Sequence, residues 1–118
     1  MHRYKELKVW QKAIDLAVEV YRITEKLPKE ERFGLISQMN RAAVSIPSNI
    51  AEGAGRNTEK DFNNFLGMAL GSSFELDTQV IISNRLDYLN DQDFQILENE
   101  LEHLQNMIAK LKMSIKFQ

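Results

Sequence analysis

Apolar residues return every three or four positions in four separate stretches of this chain, with polar side chains between them, which is the mark of amphipathic helices rather than strands. The first stretch predicts a helix from about Lys5 to Glu25. Leu7, Trp10, Ile14, Ala17 and Tyr21 make one stripe along it, and Val9, Ala13, Leu16, Val20 and Ile23 make a second beside it, so its apolar face is unusually wide. Leu27-Pro28 ends the helix, and Lys29 to Arg32 reads as a charged turn. A second helix follows, with Leu35, Met39, Ala42, Ile46 and Ile50 on one face, ending near Gly53 where glycine suits a left-handed cap. Thr58-Glu59-Lys60-Asp61 has the form of a capping box and starts a third helix that runs to about Asp87. Phe62, Leu66, Ala69, Ser73, Leu76 and Val80 form its inner face, with Leu70, Phe74 and Ile81 adjoining, and Gly67 and Gly71 suggest a close helix contact. Asn90 or Asp91 caps a fourth helix, in which Phe94, Leu97, Leu101, Leu104, Ile108, Leu111 and Ile115 form an unbroken seam. Four helices joined by short connections predict an all-α fold, an antiparallel up-down-up-down four-helix bundle, with residues 1–118 as a single domain.

The second helix carries the most specific feature. Pro47 lies inside it, removing the amide that would bond the Ala43 carbonyl and crowding that carbonyl with its ring, so a kink is expected there. Arg41, Ser45, Asn49, Glu52 and Arg56 form a polar line three to four residues apart, and Ser45, Ser48 and Asn49 are placed to supply hydrogen bonds to backbone groups freed by the proline. Arg41, Ser45, Pro47, Ser48, Asn49, Glu52 and Gly53 thus read as one structural motif.

The run Ala42-Ala43-Val44-Ser45-Ile46-Pro47-Ser48-Asn49-Ile50-Ala51-Glu52-Gly53 resembles the signature of the small four-helix-bundle proteins encoded in 23S rRNA intervening sequences. It is also similar to the accessory variability determinant proteins of diversity-generating retroelements. The resemblance spans about Leu7 to Leu89 and implies a four-helix bundle that assembles as a homopentamer. The family often has a second basic residue where this chain has Asn40.

Composition narrows the chemistry. There is no cysteine, hence no disulfide framework and no thiolate metal site. The first residues are polar and lead straight into a helix, with no secretory apolar core and no run of spanning length, so a cytoplasmic protein without a membrane partner is expected. His2 and His103 stand far apart and form no helical metal pair, and Ser45 and Ser48 have no histidine or lysine base beside them. Gly53-Ala54-Gly55-Arg56 lacks the lysine and the preceding strand of a phosphate-binding loop. No catalytic, metal or cofactor-binding residue is therefore expected, and the chain does not read as an enzyme.

A net charge of −2 argues against a uniformly basic protein, but the predicted topology segregates charge. It brings the start of the first helix, the connection between the second and third, and the end of the fourth to one end of the bundle. Nine cations (Arg3, Lys5, Lys8, Lys12, Arg56, Lys60, Lys110, Lys112 and Lys116) gather there against four acids, a surplus of five. The remainder holds six cations and thirteen acids. Helix-dipole complementarity accounts for part of the lysine bias in the fourth helix and for none in the first. Lys5, Lys8, Lys12, Arg56, Lys60, Lys110 and Lys112 are therefore the candidate nucleic-acid contacts. The expected function is a non-enzymatic homo-oligomeric scaffold that engages RNA or DNA through this end. The alternative is a protein–protein adaptor for a nucleic-acid enzyme such as a reverse transcriptase, without nucleic-acid contact of its own.

Overall fold

The computed structural model describes residues 1–116, and among them the only regular elements are helices. A 3-10 turn at Tyr4–Glu6 precedes α1 (Lys8–Thr24), and a second at Lys29–Glu31 precedes α2 (Leu35–Ala54). Two longer helices, α3 (Glu59–Arg85) and α4 (Asp91–Ser114), complete the chain. Each helix packs on its sequence neighbours and α4 closes back on α1, giving a four-helix bundle of 47 × 23 × 21 Å. The core is the inner stripe of each helix: Leu16 from α1, Met39, Ile46 and Ile50 from α2, Phe62, Leu66 and Leu76 from α3, and Leu97, Leu101, Leu104 and Ile108 from α4.

Of the two stripes of α1, Val9, Ala13, Leu16, Val20 and Ile23 form the buried one. The other borders the open groove between α1 and α2, where Trp10 is half-buried and Tyr21 is 47% exposed. Helix starts use the expected chemistry. Thr58 Oγ1 accepts from Asp61 N at 3.1 Å and Asn90 Oδ1 accepts from Asp93 N at 2.7 Å. At the head of α2 the Leu35 amide donates to Glu31 Oε1 at 3.2 Å, and Tyr88 holds the other carboxylate oxygen.

Three glycine expectations change. Gly53 is not a left-handed cap: it lies buried inside α2, which ends one residue later, and Gly55 at the cap has φ −84°. A Cβ at Gly53 would stand 2.5 Å from Phe65 Cβ and 3.2 Å from Phe62 Cδ1, so glycine is required for α2 to approach α3. The left-handed cap is instead Asp87, at φ 61°. There Tyr88 N donates to Ser83 O and Asp87 N to Asn84 O, the paired bonds of a Schellman motif closing α3. Gly67 and Gly71 make no close helix contact within the chain: a Cβ at Gly67 would meet only Lys112 Nζ, and one at Gly71 nothing within 4 Å.

Helix α2 continues without a break through the buried Pro47. The motif side chains bond its neighbourhood but not the carbonyl that the proline frees. Ser45 Oγ donates to Ala42 O at 2.7 Å and Asn49 Nδ2 to Ser45 O at 2.9 Å, while Ser48 stays exposed beside the groove.

Candidate nucleic-acid interface

One end of the bundle is assembled from three distant parts of the sequence. His2 N donates to Ala54 O at 2.7 Å, His2 Nε2 meets Glu59 Oε1 at 2.7 Å, and the imidazole lies against the Phe62 ring with centroids 4.5 Å apart. These contacts clamp the N-terminal segment onto the α2–α3 connection. Gln11 Nε2 then donates to Lys5 O at 2.8 Å, and Tyr4 meets Trp10 edge-on at 5.3 Å, fixing the 3-10 turn at the head of α1. Lys112 Nζ ties the end of α4 to the start of α3 through Asn63 O at 3.0 Å and Oδ1 at 3.3 Å. A concavity of about 480 Å³ lies between Met1–Glu6 and Gly55 on this end.

The seven candidate cations divide into two groups. Lys5, Lys8, Lys60 and Lys110 are exposed and have no ion-pair partner among the described residues. The other three are engaged. Lys12 does not project freely from the polar side of α1: it pairs with Glu100 on α4 at 3.0 Å and its side chain is only 26% exposed. Lys112 is turned inward onto Asn63. Arg56 pairs with Glu52 at 3.3 Å and lies 4.8 Å over the Phe65 ring, though it remains half-open to solvent. Lys116 adds a further exposed cation, and Arg3 meets Glu6 at 3.6 Å. Sequence reasoning missed the clamping role of His2, since its partners stand more than fifty positions away in the chain. Of the polar line in α2, Glu52–Arg56 forms the helical pair its spacing predicts, and Arg41 is exposed without an ion-pair partner among the described residues.

The opposite half is acidic and its one raised carboxyl lies in the α3–α4 seam. Burial first, then hydrogen bonding and repulsion from Asp77, with Glu102 contributing, push Glu98 up to about 7. Asp93, almost wholly buried at the head of α4, is held by Lys26 at 3.0 Å. No helix among the described residues is long and apolar enough to cross a membrane.

The fold is that of an antiparallel four-helix bundle with a proline inside its second helix. The chain belongs to the 23S rRNA-intervening sequence protein family, whose model matches residues 5–110. Among solved structures it is similar to a protein of unknown function from the S23 ribosomal protein family of Bacteroides thetaiotaomicron, at a TM-score of 0.82 and 23% identity, covering 88% of this chain and 97% of that one. That likeness is one of fold. No curated protein matches the chain.

Proposed function

We propose that this protein is a non-enzymatic, homo-oligomeric scaffold, pentameric as its resemblance to the retroelement accessory proteins implies, that binds RNA through its basic end. The observation that carries the reading is the clamp at His2. It holds Lys5 and Lys8 on the same end as Lys60 and Lys110, four ammonium groups without a carboxylate in ion-pair range among the described residues. Ammonium groups in such an arrangement attract phosphates whatever the base sequence. A cyclic oligomer repeats the arrangement around one rim, which strengthens the field and adds avidity.

Electrophoretic mobility of single-stranded RNA at low ionic strength tests this reading. Reversal of Lys8 and Lys60 to glutamate abolishes the shift, whereas reversal of Arg22 and Arg32, at the acidic end, leaves it unchanged. Absence of binding by the wild type, or equal loss from both pairs, transfers the rim to an acidic protein partner and the function to that of an adaptor.

A further inference from the structure

The basic end carries more than charge. Attraction of phosphates needs only ammonium groups, yet two flat π surfaces stand among the cations. Tyr4 is 37% exposed and lies in the turn that His2 and Gln11 hold from either side, its ring braced edge-on against Trp10 at 5.3 Å. Arg56 follows Gly55, and its guanidinium lies 4.8 Å over the Phe65 ring while its side chain stays 46% exposed. Both surfaces are held in place before any ligand arrives, so stacking on them costs little side-chain entropy.

Between them lies the concavity of about 480 Å³ bordered by the N-terminal segment and Gly55, a volume within the span of about 300–1,000 Å³ typical of small-ligand sites. Gly55 is the telling residue of its lining. Its φ of −84° is open to any amino acid, and a Cβ there would meet nothing nearer than Glu52 O at 3.6 Å, so neither backbone nor packing calls for glycine. The missing side chain keeps the concavity open. Lys5 on the lining is exposed and without an ion-pair partner among the described residues, while Glu6, the carboxylate of the lining, is met by Arg3 at 3.6 Å.

We propose that this concavity takes an unpaired nucleobase, which stacks on Tyr4 beside Gly55, and that the basic end therefore selects single-stranded over duplex RNA. This rests on the RNA-binding reading above and names the form of RNA bound. The combination of features identifies the occupant. Lys5 and Arg3 stand where the phosphates flanking an inserted base would lie, and Arg56 offers a guanidinium plane to the next base. A duplex presents phosphates too, but its bases are stacked on one another and cannot enter. An acidic protein surface would satisfy the cations and leave both π faces and the concavity unused. Because every base has a π face, stacking here discriminates strandedness and not sequence.

The test compares a labelled single-stranded RNA with the duplex it forms with its complement, by fluorescence anisotropy at one low salt concentration. Electrostatics alone favours the duplex, whose charge density is higher. The wild type instead binds the single strand more tightly. Tyr4→Ala, which removes the stacking ring, and Gly55→Met, which fills the concavity, each weaken single-strand binding by roughly 5- to 100-fold, the worth of one base–aromatic stack, and leave duplex binding unchanged. Tyr4→Phe keeps the wild-type preference, and circular dichroism confirms that helicity is retained throughout. Equal or tighter binding of the duplex by the wild type overturns the base site and leaves the basic rim as a plain phosphate binder. So does a single-strand preference that either Tyr4→Ala or Gly55→Met keeps, or a variant that weakens both forms alike, which would mark Tyr4 or Gly55 as a support of the cations only. Binding of neither form by the wild type overturns the RNA reading itself.

Discussion

Replacing Gly53 with alanine should destabilise the protein although alanine is the better helix former. Inside a helix the exchange is worth roughly 1 kcal/mol in favour of alanine. Against that gain, the new methyl carbon would lie 2.5 Å from Phe65 Cβ and 3.3 Å from Phe65 Cγ. Phe65 Cβ is fixed to the α3 backbone, so no side-chain rotation relieves the contact, and α2 and α3 must separate by about 1 Å to reach ordinary packing distance. Overpacking of this kind costs about 1–3 kcal/mol, and the separation also loosens Phe62, so the net loss is about 1–2 kcal/mol. For a chain of this size the midpoint of thermal unfolding falls by roughly 4–8 °C. The control is Gly55→Ala, two residues along. Gly55 has φ −84°, and its Cβ would meet nothing nearer than Glu52 O at 3.6 Å. Restricting the unfolded chain there stabilises by up to about 1 kcal/mol. Both variants and the wild type are melted by circular dichroism at one protein concentration, because association shifts the midpoint. A Gly53→Ala protein as stable as the wild type, or a Gly55→Ala protein that loses as much as Gly53→Ala, would refute the assignment of glycine to helix approach.

Asp87→Gly should raise stability by about 0.5–1 kcal/mol, since Asp87 closes α3 at φ 61°, and urea unfolding reads the gain. Pro47→Ala should disturb assembly more than folding, because the buried proline lines the α1–α2 groove; a higher melting midpoint with an unchanged oligomer would make the proline incidental. Glu98 supplies a pH test. Its carboxyl is raised from 4.5 to about 7, so between those values the folded chain holds more protons than the unfolded one and stability falls as pH rises. Glu98→Gln removes that slope and is the more stable protein at about pH 8.5 by roughly 1–2 kcal/mol, the partial exposure of the group limiting the gain. Parallel pH–stability profiles for the two proteins would contradict the burial of a charge in this seam.

The four helices and the inner stripes of α1, α3 and α4 were legible in the sequence because period 3.6 and side-chain caps are local properties. What was not legible depended on contacts between distant segments. Gly53 serves helix approach where a cap of α2 was expected, and Asp87 closes α3 in the left-handed conformation, because neither a close helix contact nor a left-handed aspartate leaves a local pattern in the sequence. Lys12 and Lys112 look like free lysines until α4 brings Glu100 to one and α3 brings Asn63 to the other. The gathering of basic residues followed from topology alone, whereas the clamp that orders it needed His2 to find Ala54 and Glu59.

The salt dependence of RNA binding tests the central claim most directly. Affinity for a single-stranded RNA is measured across a series of salt concentrations for the wild type and for alanine variants at Lys5, Lys8, Lys60 and Lys110. Each phosphate contact contributes about −0.7 to the slope of log affinity against log salt. The account predicts a steep negative slope that becomes shallower by about that amount for each contact removed, and no change for alanine at Arg22 or Arg32. A slope near zero, or the same flattening from the Arg22 and Arg32 variants, would contradict it.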